Sequence, residues 1–302
     1  MIGSSIEHAL EVLRNGGLVA IPTETVYGLA ADARNEAAVR RVFAAKGRPV
    51  DHPLIVHLAS ADQVGDWALS VPPSATMLAN ACWPGPLTLL LHRRPDVLDV
   101  VTGGLASVGL RVPAHPLAAE LLRQFGDGLA APSANPFGRV SPTTAEHVQH
   151  DLGDLVDYVL DGGRCPVGVE STIVDCTTTP PQILRPGGIP AEQISALLDG
   201  RVAAASGSTR APGMLAAHYA PRAKVVLVES TAAALAMAHE QRGCEIIDRT
   251  DDLVDYARSL YSDMRQADSR GATTVIAVLP PATGLGHAIR DRLTKAAASS
   301  AS

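Results

Sequence analysis

Apolar residues recur along the chain with two periods. Residues 6–15 set Ile6, Leu10 and Leu13 on one helical face and stop at Gly16-Gly17, a glycine terminus. LVAI (18–21) has the look of a short buried strand. Asn35 stands at the N-cap of a helix whose Val39, Val42 and Phe43 share a face, ending at Lys46-Gly47. LIVHL (54–58) predicts a strand, and Ser60 with Gln63 predicts a capping box on the helix after it. Further strands are expected at PLTLLL (86–91), VGLRV (108–112), DYVL (157–160) and STIVDC (171–176), and helices at 116–125, 143–152 and 191–199. Several strands follow one another with no helix between them. The pattern therefore predicts an α/β fold with a large, partly antiparallel sheet.

From about residue 200 to 223 the periodicity stops. RVAAASGSTRAPGMLAAHYAPRA is dominated by small residues, Gly and Pro, the composition of a linker. A second pattern follows: a KVVLV strand, a helix over 231–242, an EIID strand, a helix over 251–268, a TTVIAVL strand and a helix from about 285. This βαβαβα unit of about 80 residues is enough for a small Rossmann-like domain, although GxGxxG is absent after its first strand. The boundaries predicted are 1–200, 201–222 and 223–302, in keeping with a 302-residue chain too long for one core. The AAASSAS tail is expected to fray.

Composition narrows the partners. Hydrophobic residues make up 46% and charged residues 19%, the balance of a soluble globular protein. No apolar run approaches the roughly 18 residues of a membrane span. The N-terminus has neither a basic start nor an apolar stretch, so the expected location is cytoplasmic. Cys82, Cys165, Cys176 and Cys244 have no CxxC spacing, which favours free thiols over a disulfide frame or a zinc site. The net charge of -6 means that an anionic ligand must be met by a local cluster of cations.

Five polar stretches supply candidates. PTETVYG (22–28) ends a strand with hydroxyls on both sides of a carboxylate, which an ordinary turn does not need. KGRPVDHPLIVH (46–57) places Lys46 and Arg48 at a helix C-terminus, where cations are also favoured by the helix dipole alone. SVGLRVP (107–113) carries Arg111 in an apolar strand, either facing a pocket or reaching solvent from an edge. In APSANPFGR (131–139), Pro132 and Pro136 stiffen the loop that holds Ser133 and Asn135. In GVESTIVD, Ser171 opens a strand, and in ILRPGG, Arg185 precedes a stiff turn suited to anion binding. His52 and His57 are five apart and would point to opposite faces of a strand, a poor chelating pair. No GxSxG elbow and no GxxxxGK[ST] loop occurs. What remains is a lysine, three arginines, hydroxyls and an amide on rigid loops, equipment for orienting a polyphosphate and neutralising charge that develops on it.

The motifs PTETVYGLAADA, KGRPVDHPLIVH, APSANPFGR and VESTIVD resemble the YrdC-like domain, and APGMLAAHYAP followed by a small α/β unit resembles its Sua5 branch. The likeness runs in order along essentially the whole chain. It implies a YrdC-like twisted mixed sheet with helices plus a small C-terminal Rossmann-like α/β domain. It also implies synthesis of L-threonylcarbamoyladenylate from L-threonine, bicarbonate and ATP, with pyrophosphate released, a nucleotidyltransferase reaction. That product supplies N6-threonylcarbamoyladenosine at position 37 of ANN-decoding tRNAs through a downstream threonylcarbamoyl transferase machinery, so tRNA is met only indirectly. Carried over residue by residue, Thr25, His57, Arg111, Ala131 and Ser171 would contact L-threonine. ATP would be held by Lys46, Arg48, His52, Ser107, Ser133, Asn135, Ser141, Arg185 and Tyr219, with Lys46, Arg48 and Arg185 as the catalytic set. His52 stands where the family usually has asparagine, and the second domain is short for the family. Without a carboxylate cluster, Mg²⁺ is expected to be held by the phosphates and water. Segment 201–222 is expected to act as a lid that keeps water from a labile mixed anhydride. Two competing readings are an RNA-binding factor, disfavoured by the net charge and 3% aromatic content, and a carbamoyl-phosphate-handling module of hydrogenase maturation proteins, whose neighbouring domains are missing here.

Overall fold

The structure is a computed structural model and describes residues 1–206, 211–214 and 218–299. Among these, eleven strands form one mixed sheet: β1 (Ile2–Gly3), β2 (Val19–Ile21), β3 (Gly28–Asp32), β4 (Ile55–His57), β5 (Leu87–His92), β6 (Ser107–Arg111), β7 (Leu129–Ala130), β8 (Tyr158–Leu160), β9 (Thr172–Asp175), β10 (Gln182–Arg185) and β11 (Ala203–Ala204). Their spatial order is β1-β8-β2-β3-β7-β4-β6-β5-β9-β10-β11. Parallel pairs (β4–β6, β5–β9) and antiparallel pairs (β2–β3, β5–β6, β9–β10) are mixed within it.

The helices of this part are α1 (Ile6–Arg14), α2 (Glu36–Lys46), α3 (Pro73–Cys82), α4 (Asp99–Thr102), α5 (Pro116–Phe125), α6 (Ala145–Leu152) and α7 (Ala191–Leu197). Strand alternation divides the two faces of the sheet. Val56, Leu89, Leu110 and Val174 point to a core shared with Val39 and Val42 of α2 and Leu78 of α3. Their neighbours Ile55, Leu90 and Ile173 point the other way. That second face is covered by α1 and α5 over β2 and β7, and by Ala211 and Met214 of the 201–222 segment over β4, β5, β9 and β10. The pocket that gathers most of the candidate residues lies on this same face.

The second unit is a three-stranded parallel sheet of β12 (Lys224–Val228), β13 (Cys244–Ile247) and β14 (Thr274–Val278), with β14 in the middle. Helix α8 (Thr231–Glu240) packs on one face. Helices α9 (Leu253–Ser269) and α10 (Gly286–Ser299) pack on the other, in a core that also takes in Val26, Val140, Val169 and Tyr219. The two units therefore share apolar surface rather than hanging from a tether.

Asn35 caps α2 as its sequence demands, its side chain accepting from Ala38 N at 3.1 Å. Several elements differ from the pattern. Ser60 begins a 3₁₀ turn, Ala61–Asp66, and bonds Asp62 N, while Gln63 returns to Ala59 N instead of closing a capping box. GLAAD is a central strand, β3, although Gly and Ala have little strand propensity; its neighbours on both sides select it. Helix α3 begins behind a double proline that fixes its first turn. Residues Ala203 and Ala204, within the stretch read as linker, add an edge strand to β10.

Candidate active site

The pocket is walled by the ends of elements that lie far apart in sequence. Thr25 comes from the turn after β2, Arg48 from the loop after α2, His57 from β4 and Arg111 from β6. Ala131 and Ser133 follow β7, Glu170 and Ser171 lead into β9, and Arg185 ends β10. Pro212, Gly213, His218 and Tyr219 close it from above.

Arg111 is not an edge arginine reaching solvent. It is 4% exposed, in a strand paired on both sides, and stands opposite His57 in the β4–β6 ladder. Its Nη2 donates to Glu24 Oε1 at 2.7 Å, while the other Glu24 oxygen accepts from Ala114 N. The carboxylate of PTET thus grips one edge of the guanidinium, and its Nε has no hydrogen-bond partner. His57 is buried with Nδ1 3.3 Å from Ile55 O. Burial, then the adjacent Arg111 charge, lowers its pKa to about 3, so the ring is neutral at pH 7. If Nδ1 carries the proton to that carbonyl, Nε2 is an acceptor.

Hydroxyls gather nearby. Thr23 and Thr25 Oγ1 atoms are 2.8 Å apart, and Ser171 Oγ is 2.8 Å from Thr88 Oγ1. Gly28 also belongs here because a Cβ on it would press against Ala131 Cβ at 3.2 Å. Arg185 is buried, donating from Nε and Nη2 to Ser171 O and from Nη1 to Pro212 O. Arg48 gives Nη2 to Pro53 O and lies 5.6 Å from the Phe137 ring, but its Nε is unpartnered. Burial lowers its pKa to about 10, leaving it charged.

Thr25, Arg48, His57, Arg111, Ala131, Ser133, Ser171, Arg185 and Tyr219 all line this pocket. Five other sequence candidates do not. Gly47 turns left-handed (φ 62°) after α2, and the two cations of KGR diverge. The Lys46 ammonium goes behind the wall, donating to Ser133 O and Asn135 O at 2.5 Å each. Burial, then Arg48, pushes its pKa well below the lysine range. Asn135 donates its amide to Pro136 O and Arg139 O. Ser141 Oγ donates to Glu170 Oε1 at 2.6 Å. His52 sits edge-on to Phe137 with ring centres 5.3 Å apart. Ser107 opens β6, four residues or roughly 13 Å of strand from Arg111.

Sequence reasoning passed over Glu170 and Phe137 and gave the PTET carboxylate, Glu24, no role. Phe137 is one of three phenylalanines in the chain and lies in a polar loop. It bridges His52, Arg48 and His218. Glu24 and Glu170 are the carboxylates of PTET and VEST, and a buried arginine needs such a partner. Glu170 is bound by Ser141, Tyr261 and Arg292. Burial raises its pKa, but Arg292 and Arg185 outweigh that and bring it to about 2. Above the pocket, Tyr219 holds a left-handed backbone (φ 64°), uncommon for a bulky residue and kept only where packing over-determines it.

Two family models divide the chain. The Sua5/YciO/YrdC model, described as telomere recombination, matches residues 11–187. A threonylcarbamoyl-AMP synthase C-terminal domain matches residues 189–298. The threonylcarbamoyl-AMP synthase of Pyrococcus abyssi is 40% identical, over 96% of this chain and 93% of its own. That of Bacillus subtilis is 41% identical, over 97% and 92%. The crystal structure of P. abyssi Sua5 complexed with L-threonine superposes with a TM-score of 0.93 at 38% identity, covering 99% of this chain and 98% of that one. Full-length HypF, at 19% identity and a TM-score of 0.55 over 61% of this chain, shares the fold alone. With both family regions present in order and the whole length superposed, the chain belongs to the Sua5 branch of the Sua5/YciO/YrdC family, that of the threonylcarbamoyl-AMP synthases.

Proposed function

We propose that this pocket joins L-threonine, bicarbonate and ATP into L-threonylcarbamoyladenylate and pyrophosphate, a nucleotidyl transfer. Threonine amine and bicarbonate condense to a carbamate with loss of water. A carbamate oxygen then attacks the α-phosphorus, and the bond from that phosphorus to the bridging oxygen breaks as pyrophosphate leaves. An anion attacking a polyanion must overcome repulsion, so positioning and fixed positive charge carry the catalysis. The observation that carries this reading is an imbalance: three arginines and one glutamate line the pocket, and Arg48 Nε, Arg111 Nε and His218 Nδ1 lack partners. Buried polar groups are normally paired, so such atoms are apt for a ligand.

In this assignment Arg111, steadied by Glu24, takes the amino-acid carboxylate. Thr25, Ser171 and the neutral His57 read its hydroxyl and amine, beside the Ala131 backbone. A site built around a hydroxyl rejects an analogue that lacks one far better than an apolar pocket does. Arg48 and Arg185 face the triphosphate, with Ser133 on the loop that Lys46 pins from behind. Lys46 therefore acts by holding that loop, and Asn135, Ser141, His52 and Ser107 are given the nucleotide's outer contacts. Tyr219 closes the site. Glu24 and Glu170 are already engaged, so the pocket offers no oxygen cage; Mg²⁺ would arrive on the phosphates, and no step here uses it.

We assign residues 1–200 to catalysis, 201–222 to a lid and 223–302 to the smaller domain, in a cytoplasmic protein. No helix among the described residues is long and apolar enough to cross a membrane. The product goes to a threonylcarbamoyl transferase that modifies position 37 of ANN-decoding tRNAs. Pyrophosphate release should require ATP, L-threonine and bicarbonate together and be indifferent to RNA; release without threonine or bicarbonate would refute the assignment.

A further inference from the structure

Helix α10 belongs to the second unit, yet its Arg292 is 0% exposed and points into the first. Nε donates to Glu170 at 2.6 Å, Nη1 to Pro186 O at 3.0 Å, and the guanidinium lies 5.1 Å from the centre of the Tyr219 ring. All three contacts bear on the pocket. Glu170 precedes Ser171, Pro186 follows Arg185, and Tyr219 is the roof. The turn after Arg185 is pressed onto the same backbone: a Cβ on Gly187 would collide with the Ser171 carbonyl carbon. Ser171 and Arg185 are further joined by the hydrogen bonds between them.

The same face of α10 also holds the roof. Lys295 Nζ donates to Gly213 O at 2.7 Å, and His218 N donates to Lys295 O at 3.3 Å. Asp291 pairs with both Arg292 and Lys295. Gly213 has no room for a side chain, since a Cβ there would collide with the Tyr219 hydroxyl and come within 2.9 Å of Arg185 Nη1. Tyr219 itself is stacked on Tyr261 of α9, ring centres 5.9 Å apart, and Tyr261 bonds Glu170.

We infer that Arg292 is a positioning residue through which the second domain fixes Ser171, Arg185 and Tyr219, so that the pocket of the first domain is complete only with α10 in place. This rests on the synthetase reading above. An ion pair that merely glued the units together would have no reason to contact the neighbours of two pocket residues and the roof at once. A second interface pair, Arg265–Asp151, has none of these contacts to the pocket residues.

The test uses full-length Arg292→Lys and Arg292→Met, and Arg292→Met with Glu170→Met. The double variant avoids stranding a buried carboxylate, since replacing both partners of a buried pair by apolar residues is often tolerated. Each is assayed for pyrophosphate release at a temperature where it is as folded as wild type. Lysine keeps a charge for Glu170 but not the planar fork that reaches Pro186 O and covers Tyr219. Arg292→Lys should lower kcat/KM for ATP at least tenfold, and Arg292→Met at least as much. Wild-type kinetics in the folded lysine variant, or a defect confined to the double variant, overturns the inference. Hydrogen exchange at the His218 and Ala220 amides is read without substrate and should quicken in Arg292→Lys. Unchanged exchange also overturns it, and this holds even if the wild type releases no pyrophosphate, an outcome that would refute the synthetase reading instead.

Discussion

Two sets of arginines separate the parts of this molecule. At the domain interface, Arg265 and Arg292 each meet a carboxylate of the other unit, Asp151 and Glu170, at 2.5 and 2.6 Å. In the pocket, Arg48 and Arg185 rest on backbone carbonyls, and Arg111 shares one edge with Glu24. A carbonyl satisfies hydrogen bonds but cancels no charge. The interface set is neutralised within the protein, whereas the pocket set keeps a positive surplus for a ligand to cancel. Burial of a charge without a counter-charge is destabilising, so the surplus marks a functional cost rather than a structural gain.

Substitution should separate the sets. On the proposed assignment Arg185→Ala removes a fixed charge from beside the phosphates and should cut turnover about 10²–10³-fold, roughly 3–4 kcal/mol in the barrier. An effect under tenfold in folded protein would put Arg185 with the structural set. Arg265→Ala should do the reverse: Asp151 is left half-buried and bare, lowering stability by about 1.5–3 kcal/mol in denaturant titrations, with KM values unchanged in the folded fraction. Arg111→Gln paired with Glu24→Gln leaves no bare carboxylate. It should raise the KM for L-threonine tenfold or more, by about 1.5–3 kcal/mol for lost charged hydrogen bonds, and that for ATP much less. The opposite pattern would mean that Arg111 serves the nucleotide.

Much of this was legible in the sequence. The βαβαβα unit could be read strand by strand because its strands are largely apolar runs separated by helices of ten residues or more. The first unit hid β3, β7 and β10, which are short, rich in Ala or interrupted by polar site residues, and are selected by pairing across the sheet. Residues of PTET, KGR, PSAN and VEST come together around one pocket. Their internal division was not legible, because Gly47's left-handed turn sends Lys46 and Arg48 different ways. Glu24, Glu170 and Arg292 act through pairings 87 and 122 residues apart, which local spacing cannot reveal.

Acid should act on the pocket as well. His57 and His218 lie in the pocket with pKa values lowered to about 3, first by burial and then by neighbouring cations, although Glu170 partly offsets this at His218. The unfolded chain takes up their protons below about 6.5, where the fold refuses them. Stability should therefore be complete above about 6.5 and decline as pH falls toward 3, by up to about 1.4 kcal/mol per unit per histidine. His147, lowered to about 4, adds to the slope. Glu170, at about 2, contributes stability above 4.5 and begins to lose it only below that. Denaturant midpoints from pH 7 to 4.5 should fall, with a shallower slope in His57→Gln; a flat profile would mean that these rings are not held neutral.

The surplus charge of the pocket is tested most directly by a crystal structure with ATP and L-threonine bound together. Arg48 and Arg185 should lie on phosphate oxygens, and Arg111 on the amino-acid carboxylate through the Nε that now has no partner. A triphosphate seated elsewhere, with those guanidiniums still held by protein groups alone, would contradict the account.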